Sequence, residues 1–426
     1  MSFVRKTHIL DYRGSLTTGR VYFELPEGAI LDPVSACFVD LGVTNATANS
    51  QYPNNVGAAI VGRKVTFKVG GTELDQYDQH THLLALNSMK GGNVSGDLSR
   101  STLRSGWSWT QEPVNGRDAG VATGALRYSG RHILNDPLTT GTASTCMALT
   151  NVSTTTPTGR VPVSNYLASF GSIGLLEALP RAVIELDFDV SPGNVNSVTG
   201  STVLAPSLII DELVGAMPSG NDYIYSQWLR ENFPVAAAAN GVVVVTNVKS
   251  RANNDKFVQK MVLCNVVADQ AVDPARKILG STGSRAMRSE RIDVYVNKGD
   301  GMKALFPADG IQGDALKALY LQDSMGSFPL PRFGYNYDMY SRADGADNGA
   351  VLPQTYENLI GQTSFVAYDV NGRISDQRFV FTRTGDTVST LADVAVLSGA
   401  YSIAAYSLVT RSLKVDRAQG TCVTAF

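Results

Sequence analysis

The chain has 426 residues, more than one hydrophobic core usually organises, so its length favours two domains of roughly 200 residues each. A hydrophobic content of 43% is ample for packed cores and argues against disorder. The formal net charge is -2 and no block of basic residues is present, which excludes an arm that wraps a phosphate backbone; Arg5 with Lys6 is interpreted as ordinary surface charge.

Four cysteines lie far apart in the sequence without C-x-x-C spacing: Cys37, Cys146, Cys264 and Cys422. This distribution predicts free thiols in a reducing compartment and not a disulfide scaffold. The first residues lack the apolar core of a secretory signal, so we expect synthesis in a cytosol. The most apolar stretch, residues 234–245, is too short to cross a bilayer.

Apolar residues at alternate positions predict strands with one buried face. The first half shows this pattern three times, in Val21, Phe23 and Leu25, then in Val65, Phe67 and Val69, then in Ile184, Leu186, Phe188 and Val190. Each segment ends at turn-forming residues, namely Pro26 with Gly28, Gly70 with Gly71, and Pro192 with Gly193. The first half is therefore predicted to be a β-structure.

The second half repeats the alternation in Ile292, Val294 and Val296, and again near the end in Leu413 and Val415. There is also a repeat of pattern between the halves, in which KVTFKVGG corresponds to RIDVYVNKGDG. β-structure is therefore predicted through the whole chain.

Three short helices are predicted as connectors, at residues 78–90, 221–232 and 314–325. The first has one apolar side formed by Leu83, Leu84 and Leu86. In the second, Ile224, Trp228 and Leu229 form such a side, with Asn221 or Asp222 as the N-cap.

Residues 91–159 are rich in Gly, Ser, Thr and Asn and are predicted to form long loops for surface or subunit contacts. Turn residues also dominate residues 191–206, where we place the domain boundary. The predicted domains are residues 1–192 and 193–426.

Two groups of side chains could in principle carry chemistry. His80, His82 and His132 could bind a metal, but residues two apart on a helix point to different faces and chelate poorly, so we interpret them as solvent or interface histidines. A second group, Glu185, Asp187 and Asp189, could bind a cation, but the same spacing is typical of any half-exposed strand.

No phosphate-binding loop, dinucleotide fingerprint or nucleophile elbow occurs, and no histidine follows His132. We therefore predict no catalytic, cofactor-binding or metal-binding residues, no cofactor and no enzymatic activity. One aromatic cluster, near Arg332, could stack bases or sugars but is better explained by packing against the core or another subunit: Phe333, Tyr335, Tyr337 and Tyr340.

Several segments, in order, resemble the double jelly-roll major capsid proteins of virophages, polinton-like viruses and nucleocytoplasmic large DNA viruses. Residues 20–44 resemble the opening strand and its proline turn, and residues 62–86 are similar to the strand, glycine turn and acidic helix of the first sandwich. Residues 175–190 resemble the strand that closes it. In the second half the similar segments are 207–217 with the helix to 232, then 291–307 and 402–415.

The resemblance implies an all-β protein of two tandem eight-stranded jelly-roll sandwiches with a few short connecting helices. It implies a homotrimeric, pseudo-hexameric capsomer that tiles an icosahedral virion shell through contacts with neighbouring capsomers, penton proteins and minor capsid proteins, after synthesis in the host cytoplasm. It implies no sequence-specific nucleic-acid binding and leaves contact with an internal membrane or scaffold open. The alternative is a β-sandwich viral fibre or spike that binds a receptor or glycan.

Overall fold

The computed structural model describes residues 3–41, 51–53, 61–78, 146–148, 159–177, 181–188, 203–217, 222–236, 243–250, 254–266, 291–305, 311–312, 365–384, 401–416 and 421–425. Within these ranges the chain is mostly β-strand, and its α-helical content is one five-residue helix, α1 (Ala168–Ser172). This agrees with the predicted all-β class.

Two five-stranded antiparallel sheets form the first sandwich. One has the order β1 (Val4–Asp11), β12 (Ser207–Val214), β4 (Ile30–Leu41) and β10 (Leu176–Glu177), with β9 (Gly159–Pro162) also on β4. The other has the order β2 (Arg13–Ser15), β3 (Arg20–Glu24), β11 (Val183–Phe188), β6 (Gly62–Val69) and β7 (Thr72–Asp78). A separate pair joins β5 (Gln51–Pro53) to β8 (Cys146–Ala148).

Two further antiparallel sheets form the second sandwich. One has the order β13 (Asp222–Val235), β21 (Tyr401–Asp416), β15 (Lys256–Val266) and β19 (Phe365–Ile374), with β22 (Thr421–Ala425) on β21. The other has the order β14 (Val243–Ser250), β20 (Asp376–Thr384), β16 (Arg291–Asn297) and β17 (Met302–Ala304), with β18 (Ile311–Gln312) on β16.

The two sandwiches have the same topology. Eight main strands in each half, lettered B to I in chain order, give one sheet B-I-D-G and a second sheet C-H-E-F. In the first half these are β1, β3, β4, β6, β7, β10, β11 and β12; in the second they are β13, β14, β15, β16, β17, β19, β20 and β21. This is the strand order of a jelly roll, so the predicted pair of tandem jelly rolls is confirmed.

Most of the predicted strands lie where the alternation placed them. The segments around Val21, Val65, Ile184, Ile292 and Leu413 form β3, β6, β11, β16 and the end of β21. The side chains at these five positions are fully buried, as expected for the dry face of a sandwich.

The predicted helix at residues 221–232 is wrong, because residues 222–232 belong to the long strand β13. The strand is buried on both faces over its middle, where Tyr225, Ser226 and Trp228 are all buried. Burial on both faces removes the period of two and imitates a helical pattern. Of the other two predicted helices, Asp78 ends β7, and residues 79–90 and 314–325 lie outside the described residues.

The predicted boundary at residues 191–206 precedes β12, yet β12 pairs along its whole length with β1 and also with β4. β12 is therefore strand I of the first sandwich by strand pairing. The chain passes from a sheet of the first sandwich, at Val214, to a sheet of the second sandwich, at Asp222.

Among the described residues, the hydrophobic core consists of two clusters of buried side chains. One fills the second sandwich and includes Phe233, Val258 and Phe379. The other fills the first sandwich but continues into the second half, through residues of β13, β15 and β21: Tyr223, Tyr225, Trp228, Val262, Ala404, Tyr406, Leu413 and Val415. The sheet that contains these three strands is thus buried on both faces. We call its contact with β7 and α1 of the first sandwich the junction.

Candidate functional site

Several predicted candidates lie outside the described residues, namely His80, His82, His132, Asp189 and the aromatic cluster at 333–340. Within the described ranges, no group of three or more His, Cys, Asp or Glu side chains is placed to hold a metal ion. No helix in the same ranges is long and apolar enough to cross a membrane.

The two described carboxylates of the acidic strand face, Glu185 and Asp187, are engaged by cations on neighbouring strands. Lys68 Nζ donates to Glu185 Oε2 at 2.7 Å. Arg20 donates to Asp187 with two nitrogens, Nε at 2.7 Å and Nη2 at 2.9 Å. These contacts make β11 the centre of a row of cross-strand ion pairs, which is the arrangement of a solvated sheet face.

The cations near the N-terminus of the sequence also have acidic partners. Arg5 Nη1 lies 3.4 Å from Asp211 Oδ2, and Lys6 Nζ lies 3.4 Å from Glu212 Oε2. His8 Nε2 is 2.7 Å from the same Glu212 oxygen, and this hydrogen bond, with help from Lys6, lowers the pKa of Glu212. These pairs hold the edge strand β1 to β12 and agree with the interpretation of Arg5 and Lys6 as ordinary surface charge.

The junction is held by hydrogen bonds as well as by apolar packing. Tyr225 Oη on β13 donates to the backbone carbonyl of Leu74 on β7 at 3.0 Å, and this contact is buried. The backbone amide of Ser226 donates to Ser172 Oγ on α1 at 2.8 Å, and Ser172 Oγ in turn donates to the carbonyl of Ala168 at 2.8 Å. The short helix α1 thus connects the two sandwiches.

A carboxylate, Asp75, is buried on β7, where its cross-strand partner is the core residue Phe67. It accepts hydrogen bonds from the backbone amides of Ser169 at 3.0 Å and of Gln76 at 2.9 Å. Burial raises the pKa of Asp75 to about 6, although these hydrogen bonds and the positive charge of Arg411 on β21 act in the opposite direction. Arg411 also donates to Gln227 Oε1 at 2.6 Å.

Aromatic side chains extend from the first core to the junction. Tyr77 and Tyr166 pack edge to face with ring centroids 5.1 Å apart, and burial raises the pKa of both hydroxyls. Tyr406 on β21 is close enough to raise the pKa of Tyr77 further, and the Arg230 guanidinium lies 5.9 Å from the Tyr406 ring centroid. This packing is structural, since the hydroxyls stay protonated at neutral pH.

The outer edges of the two C-H-E-F sheets differ. In the first sandwich, strand β3 is covered at its edge by β2. In the second sandwich the corresponding strand β14 pairs with β20 and has no second partner strand among the described residues. Val243 and Val245 on β14 are each 58% exposed. A strand edge of this kind, with exposed β-branched residues, is a surface on which strands of other chains can pair.

No known protein family and no curated protein matches this sequence. Solved structures do match over the whole chain. PBCV-1 VP54, fitted into a cryo-EM reconstruction of the virophage Sputnik, has 12% identity and a TM-score of 0.56, with 100% of this chain and 97% of that chain covered. A quasi-atomic model of the PBCV-1 virus capsid gives 11% identity, a TM-score of 0.57 and coverage of 100% and 97%. The cryo-EM structure of the Sputnik virophage gives 11% identity and a TM-score of 0.52, with 99% of this chain and 88% of that chain covered.

These likenesses agree with the strand order and establish the fold as a double jelly roll of the type found in these virus particles. Among the described residues this fold offers a set of surfaces: a strand edge without a second partner strand, two charged sheet faces and a buried junction between the sandwiches.

The sequence reasoning missed the junction. Tyr225 and Ser226 were assigned to a helix, although the alternation of Tyr223 and Tyr225 was a signal for a strand. Nothing in the sequence indicates that Asp75 is buried, because an aspartate between Leu74 and Gln76 gives the same local pattern whether it is buried or exposed.

Proposed function

We propose that this chain is a major capsid protein, a structural subunit of an icosahedral virus shell. The observation that carries the proposal is the tandem jelly roll, with the same strand order in both halves, matched over the full chain to proteins of the PBCV-1 capsid and the Sputnik virophage particle. The proposed location is the virion. We assign the first sandwich to the chain up to about residue 214 and the second to the chain from about residue 222.

The proposed assembly is a homotrimer. Two similar sandwiches in each of three chains give six similar sides around a threefold axis, and such a block tiles a surface by repeated contacts. The proposed partners are neighbouring capsomers, with penton and minor capsid proteins at other positions of the shell. The ion pairs on β1 and β11 support a shell role over the wrapping of nucleic acid. Their lysine and arginine side chains are already paired with carboxylates of the same chain.

The proposed role is non-enzymatic. It is supported by the ion pairs of Glu185 with Lys68 and of Asp187 with Arg20, which give the two described carboxylates of this face a structural role. The interpretation of the histidines as solvent or interface residues, and not as metal ligands, can be tested directly. Metal analysis of the purified chain should give no stoichiometric metal. Metal that is retained by the chain and lost on changing His80, His82 or His132 would contradict it.

The assembly proposal is tested by light scattering and negative-stain microscopy of the purified chain. We expect trimers with a hexagonal outline, or closed shells. A persistent monomer that binds glycans on an array would instead support a fibre or spike and overturn the capsid role.

A further inference from the structure

The junction shows how one sandwich of this topology packs on the next. Strand F of the first sandwich (β7) and the helix that follows it (α1) lie against the B-I-D-G sheet of the second sandwich. Tyr225 on strand B donates to the Leu74 carbonyl on strand F, and the Ser226 amide donates to Ser172 on α1. Strand F of one sandwich thus contacts strand B of the next.

The covered face of the second sandwich is defined by a row of side chains across strands B, I and D. In the strand register Tyr406 on β21 lies between Arg230 on β13 and Val262 on β15. Tyr406 and Val262 are buried in the core cluster of the first sandwich. Met261 and Leu263 flank Val262 and belong to the cluster of the second sandwich, as expected when successive residues point to opposite faces. The row therefore faces the first sandwich.

The first sandwich has an equivalent row across the same three strands. Ile9 on β1 lies opposite Ile209 on β12, which lies opposite Cys37 on β4. Leu208 and Ile210, on either side of Ile209, are fully buried in the core, so Ile209 points to the outer face. Ile9 is 68% exposed, and Ile209 and Cys37 are half-buried. We call Ile9, Ile209 and Cys37 the outer row.

The two sheets of the first sandwich differ in the apolar surface that they expose. Among the described residues, the strands of the B-I-D-G sheet expose four large apolar side chains: Val4, Ile9, Val34 and Val214. Within the same ranges, the strands of the C-H-E-F sheet expose none and carry ion pairs. Exposed apolar side chains grouped on one side of a molecule mark a contact with another protein. The B-I-D-G sheet is therefore the side of the first sandwich that suits such a contact.

The second sandwich has a counterpart of β7 that is not used inside the chain. Its strand F, β17, ends the C-H-E-F sheet and pairs with β16 alone among the strands that the structure describes. All three residues of β17 are exposed, and Met302 is 41% exposed.

The charges of β17 and of the outer row's surroundings are complementary. Residues 297–304, which form β17 and the turn before it, carry two lysines and one aspartate, an excess of one positive charge. On the face of the outer row lie one arginine and three aspartates, an excess of two negative charges: Arg5, Asp11, Asp32 and Asp211. Opposite excesses favour association of the two surfaces.

We propose that the outer row of one chain binds β17 of a second copy of this chain. Strand F of the second sandwich then packs on strand B of the neighbouring first sandwich, as β7 packs on β13 inside the chain. This inference rests on the proposed threefold capsomer and names its subunit interface. A contact of this kind joins different surfaces of two copies, and three copies close a ring in which six sandwiches meet through six similar contacts.

The first test compares two isoleucines on strand B of their sandwiches, Ile9 and Ile224, which are both 68% exposed. Ile224 lies between Tyr223 and Tyr225 of the junction and points to the other face of β13. We expect sedimentation velocity to give a trimer for the wild type and for Ile224→Arg. Ile9→Arg should give a single 45.5 kDa chain, because it places a cation opposite a surface with excess positive charge.

The outcomes of this test separate the interface from the capsid role. A trimeric Ile9→Arg beside a trimeric wild type would overturn the interface and leave the capsid role standing. A monomeric wild type would overturn both.

The second test identifies the partner surface by cross-linking and does not depend on how Ile9→Arg folds. In the double variant Ile9→Cys with Met302→Cys, a short bis-maleimide should join separate chains, seen as covalent dimers and trimers on a reducing, denaturing gel. Ile224→Cys with Met302→Cys is the matched control and should give only the background of the native cysteines. Trimers of the first double variant that show only this background would contradict the proposal.

Discussion

At the scale of single residues, Gly62 shows how closely the first core is packed. A Cβ atom at this position would lie 2.7 Å from Tyr166 Oη. The Tyr166 ring cannot retreat easily, because it is buried and packs edge to face against Phe38 and Tyr77. We expect Gly62→Ala to lower the free energy of unfolding by about 1–3 kcal/mol in urea titration.

Gly171 in α1 is the matched control, since a Cβ there would meet Ser164 at an ordinary 3.5 Å. Gly171→Ala should be neutral or slightly stabilising, because alanine favours a helix. Equal losses in Gly62→Ala and Gly171→Ala would contradict this account of the contact.

The ion pair of Arg20 with Asp187 has good geometry but is exposed on the arginine side. We expect its coupling free energy, from a double-mutant cycle of Arg20→Ala and Asp187→Asn, to be about 0.2–1 kcal/mol and to fall with added salt. A salt-independent coupling above about 2 kcal/mol would show that the charged face of β11 is covered by a partner.

At the scale of elements, β13 joins the sandwiches through Tyr225. Tyr225→Phe removes the hydrogen bond to the Leu74 carbonyl and leaves that acceptor buried, so we expect a loss of about 1–3 kcal/mol in unfolding free energy. Tyr223→Phe, which removes a hydroxyl from the same strand outside this contact, is the control. Similar small effects of both substitutions would mean that this hydrogen bond contributes little to the junction.

The same strand shows what a sequence pattern can and cannot predict. Strands β3, β6, β11 and β16 each have one dry face, so alternation located them. Strand β13 packs on both faces over its middle, so its alternation is limited to Tyr223 and Tyr225 near its start. The position of β12 depends on pairing with the distant strand β1. The junction was not predictable for the same reason, since Tyr225 and Leu74 come into contact only after both sandwiches have formed.

At the scale of the whole molecule, the first core cluster contains Trp228, Val262 and Tyr406 of the second half. The packing of the two sandwiches against each other therefore contributes to the stability of both. We expect the full chain at pH 5 to unfold in one calorimetric transition, with equal calorimetric and van't Hoff enthalpies. Two well-separated transitions would show that the sandwiches unfold independently and that the junction is weak.

We propose that two similar sandwiches per chain build a threefold capsomer with six similar sides. Cryo-EM of the purified particles, with no symmetry imposed during the first averaging, tests it most directly. The predicted result is a particle of three times the 45.5 kDa chain mass, in which six sandwiches surround one threefold axis. A monomer, or a dimer about a twofold axis, would contradict it.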